Sequence, residues 1–203
     1  MKAAVYCFGR FQPPTIGHAK VFDAVANAAR TYKADAYMFA SQSHKKTKFD
    51  NKSCNPLIYD MKMEYLKKMF PRYASNFVVD KSVVTFLHAA TWLYMKDYTH
   101  LYMVAGSDRV DSYTEKLNQY NCQPDKSGDT IFCFRNIEVI SAGARDPDAD
   151  GAEGMSGTKM RKAAQDLQTT AFMSGIPNTL SIDQKLELMH DVRSGLILPK
   201  GNK

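Results

Sequence analysis

Short apolar runs alternate with helical patterns along this chain, and that alternation limits its fold more than any other feature. Strand candidates are Ala3–Phe8, Ala34–Ala40, Asn76–Val79, His100–Ala105 and Ile137–Ser141. Helix candidates are Gly17–Tyr32, Leu57–Phe70, Val84–Tyr98, Ser107–Gln119, Thr158–Gln168 and Ser181–Ser194. Strands alternating with helices of about 10–15 residues build βαβ units around a parallel sheet. Such a sheet is covered on both faces, so its strands read as unbroken apolar runs. Right-handed crossovers then predict a Rossmann-like, doubly wound α/β fold: a parallel five-stranded sheet with helices on both faces. One domain is expected over residues 1–170, with a C-terminal helical extension, 171–203, packed on it. Ligands of such sheets bind beyond the carboxyl ends of the strands, where the strand order reverses.

The first strand candidate ends at that edge in Gly9-Arg10-Phe11-Gln12-Pro13-Pro14-Thr15-Ile16-Gly17-His18. A turn rich in Gly and Pro leads into a helix that opens with Gly17-His18. Unpaired backbone N–H groups point outward at a helix start, and phosphate binds there readily. A second such start is Met155-Ser156-Gly157-Thr158-Lys159-Met160-Arg161. Ser156 or Thr158 can cap it, and Arg161 follows on the Thr158 face. Two helix starts carrying hydroxyls and cations can converge on one triphosphate.

Other chemistries lack their residues. No GxxxxGK[ST] or GxGxxG follows the first strand, which disfavours P-loop kinases and dinucleotide dehydrogenases. No HExxH or GxSxG occurs, and no metal site is expected from the protein's own residues. No apolar stretch reaches the 18 residues of a membrane span, and the N-terminal apolar part is too short for a signal peptide. The four cysteines form no CxxC pair. Cys7 and Cys133 fall in apolar surroundings and are expected as buried thiols, which fits a reducing, cytoplasmic compartment.

The net charge of +6 suits small phosphorylated substrates as well as nucleic acid. The basic residues are dispersed apart from His44-Lys45-Lys46-Thr47-Lys48. That cluster reads as a solvated loop or as a loop closing over phosphates, so a nucleic-acid partner is not expected. Residues 41–56 form a polar loop too long for a plain connection. Asn121–Asp129 reads as a hairpin-like insertion, 144–154 as an acidic flexible segment, and 197–203 as a frayed tail.

Thr15-Ile16-Gly17-His18 resembles the (H/T)xGH signature of the nucleotidylyltransferase superfamily, and Ser156-Gly157-Thr158-Lys159-Met160-Arg161 resembles its SxTxxR signature. The Gly9-Arg10-Phe11-Gln12-Pro13 opening is most similar to nicotinamide-mononucleotide adenylyltransferases of the archaeal and bifunctional bacterial type. Ser41 through Asn55-Pro56-Leu57 resembles their serine-rich loop, and Gly106-Ser107-Asp108 the Gly-x-Asp turn of several members. The acidic stretch before the second signature is similar to phage-encoded nucleotidyltransferases, some described as head-completion proteins.

The resemblance implies transfer of a nucleoside monophosphate from an NTP, ATP first, to a phosphate-bearing acceptor, with Mg2+ bound to the NTP. The acceptor it favours is nicotinamide mononucleotide, giving NAD and pyrophosphate. Thr15 stands where that subgroup has His, so cytidylyl transfer to a phosphorylated alcohol and adenylyl transfer to phosphopantetheine stay open. A virion role with phage head or neck proteins is the reading from another class, and many superfamily members are homo-oligomers. Catalytic roles are expected for His18, Thr15, Arg10 and Arg161. His18 and Thr15 would donate to the α- and β-phosphates, and Arg10 would meet a phosphate. Gly9, Phe11 and Gly17 would border the nucleotide, and Ser156, Thr158 and Arg161 would hold the β- and γ-phosphates. Gly106 would allow close approach of the nucleotide. Asp108 would meet a ribose hydroxyl or the magnesium, or serve only as a helix-start acid. Lys45 and Lys46 would close over the triphosphate. Trp92 reads as core or as a platform for the acceptor's base.

Overall fold

The computed structural model describes residues 2–124, 128–143 and 156–199. Its strands are β1 (Ala3–Gly9), β2 (Asp35–Ala40), β3 (His100–Ala105) and β4 (Asn136–Ser141). Its α-helices are α1 (Ala19–Tyr32), α2 (Tyr59–Met69), α3 (Phe86–Tyr94), α4 (Val110–Tyr120), α5 (Gly157–Gln165), α6 (Thr169–Ser174) and α7 (Ile182–Ser194). The chain forms two interleaved compact units: Met1–Gly9, Lys20–Ser41 and Asn76–Arg145 in one, Arg10–Ala19, Gln42–Ser75 and Asp146–Lys203 in the other.

The first unit holds a parallel sheet in the order β2-β1-β3-β4. The strand order reverses between β1 and β3, so β1 is central and fully apolar, as a doubly covered strand must be. Alternate side chains serve opposite faces. Ala4 and Tyr6 of β1 join Phe39, Leu101 and Met103 in a core completed by Ala89, Ala90 and Leu93 of α3 and Leu117 of α4. The opposite face is marked by Tyr32 of α1 stacked on Tyr102 of β3, with ring centroids 3.9 Å apart. Helices therefore flank the sheet, as expected.

The sheet has four strands and not the expected five. Asn76–Val79 contributes one parallel bridge, Phe77 to Met38, and the Val78 N–H donates to the Met38 carbonyl at 3.0 Å. A 3-10 turn over Pro71–Asn76 and a turn closed by Val83 N–H on the Asp80 carbonyl leave too little extended chain for a ladder.

Cys133 is a second correction. It is exposed and disulfide-bonded to Cys122, with Cα atoms 4.3 Å apart. Phe132 and Phe134 on either side turn into the core, which aims the intervening residue outward. Cys7 is buried as expected, and burial pushes its thiol up to about 12. Among the described residues the free thiols are Cys7 and Cys54. The insertion does fold back on itself, through an antiparallel bridge between Pro124 and Thr130.

The second unit is helical. In it α5, α6 and α7 pack on one another around Met160, Ala164, Phe172, Leu188 and Val192. The α2 helix is tied to α7 by the Tyr65 hydroxyl, which donates to Asp191 at 2.6 Å. Ser181 and Gln184 form a capping box at the start of α7, which satisfies two otherwise orphan donors. Gly195 ends that helix against Pro56, whose carbonyl would lie 2.3 Å from an added Cβ. The segment expected to fray from 197 begins paired: Thr47 and Leu196 form a parallel bridge, and Ile197 N–H donates to the Thr47 carbonyl. The acidic segment 144–154 lies outside the described residues.

Candidate functional site

Both signatures fall in the helical unit, and the structure joins them there. Arg161, only 3% exposed, spends three of the five N–H donors of a guanidinium on named partners. Its Nη1 donates to the Gln12 carbonyl at 2.8 Å, its Nε to the Phe49 carbonyl at 2.9 Å, and its Nη2 to the Thr158 hydroxyl at 3.1 Å. One side chain thus ties the second signature to the turn leading into the first and to the 41–56 loop. Gly157 is required by the same contact: a Cβ there would meet the Gln12 carbonyl at 2.9 Å and Arg161 Nη1 at 3.2 Å. Ser156 caps α5, its hydroxyl accepting from the Lys159 N–H at 3.2 Å.

The first signature is equally ordered. Thr15 precedes a 3-10 turn, Ile16–His18, that runs into α1. The Thr15 N–H donates to His18 Nδ1 at 2.9 Å, and the Thr15 hydroxyl lies 3.0 Å from the same nitrogen. Because Nδ1 accepts, the ring proton of the neutral imidazole belongs on Nε2. His18 is thereby fixed as an Nε2–H donor, the form that a phosphate oxygen needs. The Phe11 ring stands edge-on to His18, centroids 4.9 Å apart. Phe11 has φ 48°, a left-handed conformation that a bulky residue adopts only where its surroundings enforce it. The turn is braced by Gln12, which donates to the Leu57 carbonyl at 2.8 Å and accepts from the Leu57 N–H at 2.9 Å.

Arg10 is exposed and its Nη1 donates to the Lys52 carbonyl. Burial and the charge of Arg10 both pull Arg161 below the usual guanidinium range, with the Cys54 thiol acting the other way. Lys45 is fixed through its backbone, which pairs with Asn55. Lys46 lines a cavity of about 470 Å³ with His190, Arg193 and the 196–198 segment.

Gly9, Gly106, Asp108 and Trp92 belong to the sheet unit. Gly9 closes β1 and Gly106 follows β3, so both lie at carboxyl ends of the strands. Asp108 is exposed, pairs with Arg109 at 3.3 Å and sits in the first turn of the short 3-10 helix before α4. Trp92 donates its indole N–H to Asp80 at 2.9 Å, carries the Lys96 ammonium 4.2 Å over its ring, and meets Tyr37 and Phe39 edge-on.

Sequence reasoning missed two supports of the site. Gln12 is one. The other is Lys62 of α2, whose Nζ donates to the Arg10 carbonyl at 2.8 Å while the residue is 0% exposed. The signal was present: Lys62 falls in the apolar stripe of Tyr59, Met63, Leu66 and Met69, where a cation has no reason to be unless it has work inside.

A parallel sheet flanked by helices, and a buried arginine joining α5 to the Gln12 turn, describe an α/β protein of Rossmann-like fold. Its relatives are consistent with that class. A family model, cytidylyltransferase-like, matches residues 6–163. No curated protein matches the sequence. Among solved structures, a candidate nicotinate-nucleotide adenylyltransferase from Vibrio parahaemolyticus is similar in fold, with 12% identity and a TM-score of 0.52 over 93% of this chain and 99% of that one. The chain belongs to the cytidylyltransferase-like family, and it is an enzyme of the nucleotidyltransferase class. No helix among the described residues is long and apolar enough to cross a membrane.

Proposed function

We propose that the enzyme transfers AMP from ATP to the phosphate of nicotinamide mononucleotide, releasing pyrophosphate and forming NAD. The observation that supports this reading is the 2.8 Å bond from Arg161 to the Gln12 carbonyl, which ties α5 to the turn leading into the first signature. The GRFQP form of the first signature favours a pyridine-mononucleotide acceptor. The name of the Vibrio structure, a candidate enzyme for the related nicotinate nucleotide, agrees with it.

In this reaction an acceptor phosphate oxygen attacks the α-phosphorus. The bond from that phosphorus to the bridging oxygen breaks, and pyrophosphate leaves with the electron pair. The nucleophile is already an anion, so catalysis reduces to positioning and charge stabilisation. His18 Nε2–H donates where charge grows on the α- and β-phosphates. Thr15 holds the ring that does so. Arg10 meets a phosphate from the exposed side of the turn, and Gly9, Phe11 and Gly17 border the nucleotide. Ser156, Thr158 and the two remaining donors of Arg161 serve the β- and γ-phosphates. Mg2+ arrives with ATP as part of the substrate. Gly106, Asp108, Lys45, Lys46 and Trp92 keep the nucleotide and acceptor roles expected from the sequence.

The test is an acceptor screen on purified protein. ATP and CTP are each offered with nicotinamide mononucleotide, phosphopantetheine and phosphorylated alcohols, and pyrophosphate release is followed. NAD formed from ATP is the expected product. Turnover confined to CTP, or to another acceptor, would replace the acceptor named here.

A further inference from the structure

The loop that carries Lys45 and Lys46 is held at three places, and one of the holds belongs to neither signature. Its two limbs pair with each other: the Lys45 N–H donates to the Asn55 carbonyl at 3.0 Å, and the Asn55 N–H to the Lys45 carbonyl at 3.1 Å. Arg161 holds it through the Phe49 carbonyl. The third hold comes from the segment that follows α7. Leu196, 1% exposed, forms the parallel bridge with Thr47, and the Ile197 N–H donates to the Thr47 carbonyl at 3.1 Å. Gly195, just before them, lies against the foot of the loop, where an added Cβ would run into the carbonyl, Cα and Cβ of Pro56. The backbone of Gly195 is otherwise ordinary, with φ −81° and ψ 1°, so what demands glycine is the close approach. Thr47 directly follows Lys45-Lys46 and stands two residues before Phe49. A segment paired with Thr47 therefore fixes the backbone from which both lysines and the Phe49 carbonyl project. A polar loop that must order itself around a ligand loses conformational freedom, and that loss weakens binding. A loop already pinned has less to lose.

We infer that residues 195–197 are a strap that positions the Lys45-Lys46 loop for the triphosphate, with Gly195 and the Ile197 N–H as positioning groups that do not touch the substrate. The inference rests on the nucleotidyl-transfer reading and on the part of the two lysines in it. It places a share of nucleotide affinity in a segment beyond α7 that neither signature contains.

The experiment uses the whole chain and follows NTP turnover together with binding of inorganic tripolyphosphate. Ile197→Pro removes the N–H that reaches Thr47, whereas Ile197→Ala keeps it and trims only a half-exposed side chain. Ile197→Pro should raise KM for the NTP and weaken tripolyphosphate binding by about tenfold each, the scale of one net hydrogen bond. Its kcat should change little, the mark of binding lost equally from ground and transition states. Ile197→Ala should match wild type, and Gly195→Ala should move KM in the same direction as Ile197→Pro. Linkage requires the converse effect in wild type: saturating tripolyphosphate should slow exchange of the Ile197 amide by a similar factor. A merely structural strap gives a lower Tm in Ile197→Pro with KM and tripolyphosphate affinity unchanged, and that pattern overturns the inference. So does an Ile197 amide whose exchange is indifferent to tripolyphosphate, or a wild type that binds none. A wild type that binds tripolyphosphate but turns over no NTP removes the transfer reading instead, and the strap is then decided by tripolyphosphate affinity in the same variants.

Discussion

Arg161 Nη1 and the carbonyl of Gln12 lie 2.8 Å apart across 149 residues of sequence. That bond ties α5 to the turn that leads into the first signature. It also means that the arginine is not an idle cation awaiting phosphate. It is a strut, with Phe49 and Thr158 as further footings. Replacing it by Met should leave the Gln12 and Phe49 carbonyls short of a donor. Each buried unsatisfied group costs about 1–3 kcal/mol, so Arg161→Met should lose both stability and turnover. Arg161→Lys keeps the charge but cannot reach all three acceptors, so turnover should fall further than the charge alone implies. Urea titration and pyrophosphate release, run on both variants, separate the two losses. A stable, fully active Arg161→Met would show that the strut is dispensable.

Gly157 offers a gentler probe of the same joint. Its φ is ordinary, and the constraint is space: an added methyl meets the Gln12 carbonyl and Arg161 Nη1. Overpacking of this kind typically costs about 1–3 kcal/mol. Gly157→Ala should therefore depress Tm by a few degrees and cut kcat more than a substitution at exposed Lys159 would. Equal kinetics in the two variants would mean that the joint yields without consequence.

The His18 ring is oriented mainly by a backbone donor, which separates its role from that of Thr15. His18→Ala removes the Nε2–H donor and should lower kcat about 10²–10³-fold, the usual loss for one charge-stabilising donor. Thr15→Val keeps the N–H that fixes Nδ1 and should cost about tenfold or less, the scale of one net hydrogen bond. The ordering of the two variants in steady-state kinetics is the check. A Thr15→Val enzyme as poor as His18→Ala would assign the hydroxyl a direct part in transfer.

Lys62 also makes a pH prediction. Its amine is held at about 7 in the fold against an ordinary 10.5, first by burial and then by Arg10. Between those values the unfolded chain binds more protons than the folded one, so stability rises with pH across that window. Below about 7 both states hold the proton, and the whole penalty of the buried charge is present. Wild type should therefore gain on Lys62→Met by about 3.5 kcal/mol between pH 7 and 10, read from paired urea titrations without ligand. A constant difference between the two proteins would mean that Lys62 titrates normally.

Much of this was legible in the residues, for reasons that differ by element. β1 was plain because a doubly covered strand is apolar throughout, and the signatures were plain because a phosphate-binding turn needs Gly, hydroxyls and cations at fixed spacing. The fifth strand was misread because Asn76–Val79 has strand composition, while the turns on each side decide its pairing. Cys133 was misread because composition ignores alternation: Phe132 and Phe134 take the core, and the residue between them cannot. The strut made by Arg161 was not legible at all, since its acceptors are carbonyls, and carbonyls leave no trace in residue identity. Lys62 was legible only as an oddity of the α2 stripe.

The disulfide gives a last expectation. Cys122 and Cys133 close a loop with a sequence separation of 11. In the chain-entropy account a loop of that size is worth about 3 kcal/mol. Its ends are tied a second time, however, because Asn121 donates to the Phe134 carbonyl at 3.1 Å and accepts from the Phe134 N–H at 2.8 Å. Those bonds persist when the sulfurs part, and Phe132 and Phe134 remain rooted in the core. Reduction should therefore cost nearer 1 kcal/mol than 3, with the change confined to the segment between Asn121 and Phe134. Thermal unfolding of oxidised and reduced protein measures the magnitude, and amide exchange locates it. Because no residue given a part in the transfer lies between Asn121 and Phe134, pyrophosphate release should be the same in both states. A reduced protein that loses turnover would tie the insertion to the site after all.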